Sequence, residues 1–159
     1  MATNASITAS FDDVCPFNYV SFQSKLNHME RNTRTEFFGV RYIINDLGEV
    51  VSFYRDLLGF QVDMQVEPGF AKLSKGSLNL YFNKPGFGGA GQSMPDGTVP
   101  QPGGWNRIQL GVDNLDALIE QLKAKQASFR NELIVGQGGK QILLKDPSGN
   151  LIELFEPKK

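Results

Sequence analysis

The chain has 159 residues, of which 40% are hydrophobic and 21% are charged, and its formal net charge is -1. This length predicts one domain or two small fused modules, and the near-neutral charge argues against nucleic acid or an acidic membrane surface as the main partner. No apolar run reaches the roughly 18 residues that a membrane span needs, and the N-terminus lacks the features of a secretory signal. A soluble cytoplasmic protein is therefore expected.

Residues 1–36 show no sustained helical or strand period. They are expected to form an N-terminal arm or short helix that packs on the domain, or to be partly disordered. This arm holds the only histidine, His28, and the only cysteine, Cys15. No base close to Cys15 in sequence could activate it, so both side chains are interpreted as surface groups.

A first module is predicted over residues 37–83. The stretch FFGVRYII favours a strand, and Asp46 and Glu49 follow it with the spacing of a capping box. Apolar residues then recur at helical spacing as far as Gly59, a residue typical of helix ends. The stretches FQVDMQVE, FAKL and SLNLYF predict three further strands.

Residues 84–106 interrupt this pattern with seven glycines and four prolines. Such a composition is not expected to sustain a helix or a central strand, so the segment is interpreted as a linker. Loops longer than about 12–15 residues in a compact domain are usually functional or disordered.

A second module over residues 107–159 repeats the pattern of the first. RIQLGV predicts a strand, Asn114 a helix cap, ASFRNELIV a strand, and KQILLKDPSGNLIELFEP a hairpin that turns at DPSG. Aligned on Asp46 and Asn114, the halves repeat at an offset of 68 residues, and each reads β-α-β-β-β. The pattern therefore predicts an internal duplication.

The stretches INDLGEVVSFYRDLLGF and KDPSGNLIELFEP, in two tandem βαβββ modules, resemble the vicinal oxygen chelate superfamily of glyoxalases, bleomycin-resistance proteins and extradiol dioxygenases. The resemblance covers residues 37–157. It implies an α+β fold in which a curled mixed sheet surrounds a cleft, and it implies a homodimer. It does not fix the reaction, because one fold hosts many functions.

The resemblance also assigns the two sides of the strands. The helix of each module covers one side of its sheet, so alternate residues face the cleft. The residues expected on the cleft side are Gly39, Arg41, Ile43, Arg107, Gln109, Gly111, Leu151, Glu153 and Phe155.

Metal-using members of the family bind a divalent ion with four side chains, mostly His and Glu. The corresponding positions are Gly39, Leu80 or Tyr81, Arg107 and Glu153. Glycine and leucine have no ligand atom, arginine has no lone pair to donate, and neutral tyrosine binds metals poorly. No metal cofactor is therefore expected, unless a partner subunit or the substrate supplies ligands to an atypical divalent metal site.

Arg107 and Glu153 occupy positions that converge on one ion in the metal-using members. The resemblance therefore implies that the two side chains pair, with the arginine supplying a fixed positive charge where the ion's charge would lie. The alternative is a structural salt bridge with no role in binding. Phe155 is expected to form the apolar floor of the cleft.

The other ligand-binding candidates are Arg41, Asn79, Tyr81, Trp105 and Gln109. Arg41 points into the cleft or carries its charge to solvent. Trp105 stacks on a flat ligand or packs in the core, the commoner place for a lone tryptophan at a strand start. Gln109 donates a hydrogen bond to a ligand or faces solvent. Asn79 and Tyr81 share one face of their strand, and the sequence leaves open which face it is.

Two classes of function follow from these residues. The first is a metal-free protein of the bleomycin-resistance kind, which binds a small polar or planar molecule in the cleft. The second is a lyase, isomerase or dioxygenase-type enzyme with Glu153 as a general base or as part of an atypical metal site. A nearby arginine lowers the pKa of a carboxyl group, which weakens it as a base. A partner-binding or regulatory module on the same fold is a third possibility.

Overall fold

The computed structural model describes residues 38–159. The arm predicted at residues 1–36, with His28 and Cys15, lies outside the described residues. Within residues 38–159, none of the helices has the length and apolar character needed to cross a membrane.

The first half of the described chain forms a four-stranded mixed sheet with one helix. Its elements are β1 (Gly39–Ile43), α1 (Leu47–Asp56), β2 (Gln61–Val66), β3 (Phe70–Lys75) and β4 (Leu78–Asn83). The strand order is β1-β4-β3-β2, and only the pair of β1 and β4 is parallel. Parallel strands need a long crossover connection, usually with a helix, and here α1, β2 and β3 connect β1 to β4.

Helix α1 begins where the capping box predicts. The side chain of Asp46 accepts a hydrogen bond of 2.9 Å from the backbone N–H of Glu49. Its apolar face, which includes Leu47, Val50 and Tyr54, is buried against the sheet side that carries Leu80. The opposite side of the sheet carries no helix from this half.

The linker between the halves contains one short element that its composition did not predict. Helix α2 spans Gly88–Gly91, where the glycine and proline content predicted neither helix nor strand. The turn closes because the N–H of Gly86 donates to the carbonyl of Gly91 at 2.7 Å. A Cβ at Gly91 would lie 2.3 Å from the carbonyl oxygen of Lys84, so this close approach requires glycine.

The second half forms a five-stranded sheet with one helix. Its elements are β5 (Arg107–Gly111), α3 (Leu115–Ala124), β6 (Ser128–Phe129), β7 (Ile134–Val135), β8 (Gly139–Lys145) and β9 (Leu151–Pro157). The order is β5-β9-β8-β6, with β7 also paired to β8 and only β5 and β9 parallel. Asn114 caps α3 by accepting from the N–H of Ala117 at 3.0 Å.

The single strand predicted from ASFRNELIV is two short strands, β6 and β7. The N–H of Leu143 on β8 donates to the side-chain oxygen of Asn131 at 3.0 Å, where a strand would present a backbone carbonyl. A hydrogen bond to the asparagine side chain thus replaces one backbone hydrogen bond between strands. After β6 the chain moves away from β8, and it pairs with β8 again at Ile134.

Hydrogen bonds at Tyr42 and at the DPSGN turn join the halves. The hydroxyl of Tyr42 on β1 accepts from the N–H of Ile108 at 3.0 Å and donates to the carbonyl of Leu151 at 3.2 Å. In the DPSGN turn, Ser148 Oγ accepts from the N–H of Asn45, and the side chain of Asn150 donates to the carbonyl of Ile43. The turn that marks the family resemblance therefore fastens one half to the other.

The α+β fold class predicted from the sequence is confirmed, with the strands divided between two mixed sheets. Within residues 38–159, each sheet has one side covered by its helix and one side without a helix, which we call its open side. An inter-sheet cavity of about 480 Å³ lies where residues 40–43 of β1 approach Arg107 and Asn150.

Candidate functional site

The centre of the candidate site is a row of polar residues on the open side of the second sheet. Gln109 on β5 lies directly beside Glu153 on β9, and Arg107 lies one row earlier beside Leu151. Their strand neighbours Ile108 and Ile152 are buried in the core on the helix side, and residues alternate sides along a strand. The side of the sheet predicted for Arg107, Gln109 and Glu153 is thus the one they occupy.

Glu153 is held from two directions. Its Oε2 accepts from Arg107 Nε at 2.7 Å, and its Oε1 accepts from Gln109 Nε2 at 2.6 Å. Only 7% of Glu153 is exposed. The hydrogen bond from Gln109 and the bond and charge of Arg107 lower the pKa of this carboxyl, and burial opposes the shift only in part. The structure therefore keeps Glu153 ionised.

Arg107 links this carboxylate to the inter-sheet cavity. Its Nη1 donates to the backbone carbonyl of Trp105 at 3.3 Å, and 34% of its side chain remains exposed. Arg107 lines the cavity together with Asn106 and with Arg41 of the first sheet. The ion pair is thus partly buried, and its arginine lines the cavity.

The pairing of β1 with β4 decides the side of the sheet on which Asn79 and Tyr81 lie. Asn79 pairs with Gly39 and Tyr81 pairs with Arg41, whereas Leu80 between them is fully buried in the core. Both side chains therefore share the open side with Arg41. Asn79 donates from its amide to the carbonyl of Phe38 at 2.9 Å.

Arg41 is held against the open side of the first sheet. Its guanidinium group lies 5.2 Å from the centroid of the Tyr81 ring, and Nη1 donates to the side-chain oxygen of Asn83. Asn83 is 2% exposed, whereas Arg41 itself stays exposed. Arg41 therefore belongs to the cavity wall and is also in contact with solvent.

The ring of Tyr81 also covers Gly39. A Cβ at Gly39 would lie 2.4 Å from Cε2 of Tyr81, a distance that real side chains do not adopt. With the 68-residue repeat, the pair of Arg41 and Tyr81 corresponds to the pair of Gln109 and Glu153. Tyr81, and not the buried Leu80, is therefore the equivalent of Glu153.

Trp105 is not a core residue. It is 67% exposed, and the guanidinium group of Arg130 lies 5.6 Å from the centroid of its ring. The interpretation of this tryptophan as part of the core is therefore wrong. Its backbone carbonyl accepts a hydrogen bond from Arg107, so Trp105 lies next to the row of polar residues on β5 and β9.

The sequence reasoning missed the side chains that β8 contributes to the same open side. Leu143 pairs with Glu153, Lys145 pairs with Leu151, and Gln141 pairs with the partly buried Phe155. Their alternation with the buried Ile142 and Leu144 was readable in KQILLK. No sequence pattern predicted that Arg130 lies at this site, because its position depends on the short strand β6 that precedes it.

The match to known families agrees with this geometry. Residues 25–154 match the Glyoxalase/Bleomycin resistance protein/Dioxygenase superfamily. The chain belongs to this superfamily. No curated protein sequence matches the chain significantly.

Solved structures of the superfamily share the fold. The chain is similar to a glyoxalase/bleomycin resistance protein/dioxygenase from Nocardioides, with 18% identity, 87% of this chain and 94% of that chain covered, and a TM-score of 0.65. It is similar to lactoylglutathione lyase from Agrobacterium tumefaciens, with 17% identity, coverage of 77% and 94%, and a TM-score of 0.60. It is also similar to TnmS3, an antibiotic binding protein from Streptomyces sp. CB03234, with 19% identity, coverage of 79% and 98%, and a TM-score of 0.59. At these identities the likeness shows the fold alone.

The superfamily positions that hold a metal in other members carry an unsuitable donor set in this chain. They are Gly39, Tyr81, Arg107 and Glu153, and both oxygens of Glu153 already accept hydrogen bonds. Among the described residues, no three His, Cys, Asp or Glu side chains are grouped so that they could hold an ion. These side chains do not fit a divalent metal with its usual oxygen and nitrogen ligands.

Proposed function

We propose that this chain is a metal-free binding protein of the superfamily, which takes a small polar or planar molecule at the inter-sheet cavity. The observation that carries the proposal is the ion pair of Arg107 and Glu153. It occupies two of the four metal positions, and its arginine lines a cavity of about 480 Å³. Cavities of roughly 300–1,000 Å³ with a few polar groups are typical of small-molecule sites.

The pair supplies a fixed arrangement of charge for a ligand. Within residues 38–159, Arg107 engages only Nε, at Glu153, and Nη1, at the carbonyl of Trp105, so Nη2 can still donate to a ligand. Gln109 holds Glu153 from the other side, so neither charge has to reorganise when a polar molecule binds. Preorganised groups of this kind lower the cost of binding.

The alternative function is an enzyme that uses Glu153 as a general base. A useful base has a pKa near the working pH, which for a carboxyl group requires a raised pKa. The pKa of Glu153 is lowered instead, and both of its oxygens are occupied. These two features favour a binding role over proton abstraction.

The proposal is tested by elemental analysis and by calorimetry on the same preparation. Gently purified protein is expected to contain far less than one equivalent of zinc, nickel, iron or manganese. A panel of glycopeptide-type and aromatic ligands is expected to include at least one that binds, with binding lost in the double variant Arg107→Met, Glu153→Leu. Arg55→Met is the matched control, because Arg55 pairs with Asp56 on the exposed surface of α1. Near one equivalent of metal that is lost with Glu153, or turnover of a ligand, would contradict the proposal.

We also propose that the chain is a homodimer. Several large apolar side chains are exposed, among them Met64, Val66 and Val135. The strand β2, which carries Met64 and Val66, lies at the end of its sheet, so it has one unpaired edge within the described residues. Unpaired edges and exposed apolar groups are features that association covers. The cytoplasmic location expected from the sequence stays a prediction.

A further inference from the structure

A second cavity lies on the open side of the second sheet, beyond the polar row of Arg107, Gln109 and Glu153. Its volume is about 350 Å³. The lining residues are Gly104, Trp105, Arg130, Lys145, Gly149 and Leu151. We call it the Trp105 cavity. Lys145 reaches it from β8, and Leu151, its partner on β9, forms its floor beside Arg107.

Two cations in the Trp105 cavity have no acidic partner. Within residues 38–159, neither Arg130 nor Lys145 takes part in any ion pair or side-chain hydrogen bond, whereas Lys72, Lys123 and Lys140 all pair with carboxylates. Glu153 lies on the same side of the sheet, and Arg107 already balances its charge. The cavity therefore carries uncompensated positive charge that an anion would complement.

Trp105 supplies the other half of the site. It is the only tryptophan of the chain, and 67% of it is exposed although its backbone carbonyl is bound by Arg107. The guanidinium group of Arg130 lies 5.6 Å from the centroid of the indole ring. An exposed aromatic surface is a platform on which a flat molecule stacks.

A third cavity of about 340 Å³ adjoins the same two residues. It is lined by Trp105 and Arg130 together with Asn131, Ile134, Gln141 and Leu143. Ile134 and Leu143 make part of its wall apolar. A ligand at Trp105 therefore meets apolar surface and Arg130 in the third cavity, and Arg130 and Lys145 in the Trp105 cavity.

We infer that Trp105, Arg130 and Lys145 form an anion-recognising subsite, which binds a planar aromatic molecule through an acidic substituent. The ring stacks on Trp105, and the carboxylate, sulfonate or phosphate of the ligand lies between Arg130 and Lys145. This inference rests on the proposed function, and it adds the ligand class: flat and anionic rather than merely polar.

The test uses 2-naphthoate and its uncharged analogue 2-naphthamide, which have the same ring system. Their binding to the full-length protein is measured by calorimetry and by quenching of the fluorescence of Trp105. The acid is expected to bind about tenfold more tightly than the amide, because only the acid carries a negative charge that the two cations attract. The preference is expected to weaken as salt concentration rises.

Two substitutions separate charge from stacking. Lys145→Gln and Arg130→Gln are each expected to weaken 2-naphthoate about threefold and to leave 2-naphthamide within error. Trp105→Leu is expected to weaken both compounds about fivefold or more. Lys123→Gln is the matched control, because Lys123 lies on α3 and pairs with Glu120.

Three results would overturn the inference. They are equal affinity for acid and amide, an acid preference that survives Lys145→Gln and Arg130→Gln together, and the absence of binding by either compound. The double variant Arg107→Met, Glu153→Leu distinguishes a failure of this inference from a failure of the proposed function. Loss of the acid preference only in that double variant would support the polar row and reject the Trp105 cavity.

Discussion

Arg107 Nε lies 2.7 Å from Glu153 Oε2, across two neighbouring parallel strands whose open side faces a cavity. The ion pair predicted from the sequence is thereby confirmed as a contact. Its role in binding a ligand stays a prediction. Because 34% of the arginine side chain and 10% of the glutamate side chain are exposed, the pair lies between the surface and the buried case.

A double-mutant cycle on this pair is the first prediction. Exposed pairs contribute about 0–1 kcal/mol, and breaking a buried pair costs about 3–5 kcal/mol. Arg107→Met is expected to reduce the free energy of unfolding by about 1–3 kcal/mol, since Glu153 then keeps only Gln109 as a partner. Adding Glu153→Leu is expected to restore part of the loss. Urea denaturation measures the free energy of unfolding of each variant. Additive effects of the two substitutions would show that the contact contributes no measurable stability.

The second prediction concerns acid stability. The folded-state pKa of Glu153 is lowered from 4.5, so its contribution to stability is present above that value and is lost as pH falls through the lower folded-state pKa. The difference in unfolding free energy between wild type and Glu153→Gln is therefore expected to be constant above about pH 5.5 and to shrink in acid. Burial raises the pKa of Asp146, which has the opposite effect, but it does so in both proteins and cancels from the difference. A difference that grows in acid would contradict the prediction.

The third prediction uses the contact between Gly39 and Tyr81. Gly39→Ala places a methyl group 2.4 Å from Cε2 of Tyr81, so the ring has to leave its place beside Arg41. The variant is expected to lose about 1–3 kcal/mol of stability, as overpacking typically costs. Tyr81→Ala in the same chain removes the clash and is expected to abolish the effect of the alanine. Equal effects of Gly39→Ala with and without the tyrosine ring would count against this packing.

The fourth prediction concerns the hydroxyl of Tyr42. It is buried and bonds to backbone groups of Ile108 and Leu151 in the other half of the domain. Tyr42→Phe keeps the ring but leaves the N–H of Ile108 and the carbonyl of Leu151 unpaired, which costs about 1–3 kcal/mol for such groups. Thermal unfolding is expected to shift down as one cooperative transition. Wild-type stability in the variant would mean that water replaces the hydroxyl.

The fifth prediction tests association. Light scattering at micromolar concentration is expected to give twice the chain mass of 17.6 kDa. Charged substitutions at Met64 and Val66, which are each 53% exposed, test whether β2 takes part. A mass near 17.6 kDa for the wild type would contradict the proposal of a homodimer.

The sequence by itself determined the features that depend on local period and spacing. The caps at Asp46 and Asn114 and the alternation of core and open sides follow from residues that are neighbours along the chain. The family resemblance that these patterns carry then placed Arg107 and Glu153 on the same side of one sheet, because the two positions converge on one ion in the metal-using members. The four metal positions came from the same resemblance.

Only the tertiary structure decided the features that depend on which strands lie side by side. Pairing of β1 with β4 put Tyr81 over Gly39 and beside Arg41, and no local pattern orients a strand whose turn is ambiguous. The contact of Trp105 with Arg130 depends on where the short strand β6 ends, and there the N–H of Leu143 on β8 bonds to the side chain of Asn131 instead of to a backbone carbonyl. Period along a chain specifies which residues share a face, whereas the partners across that face are set by long-range packing.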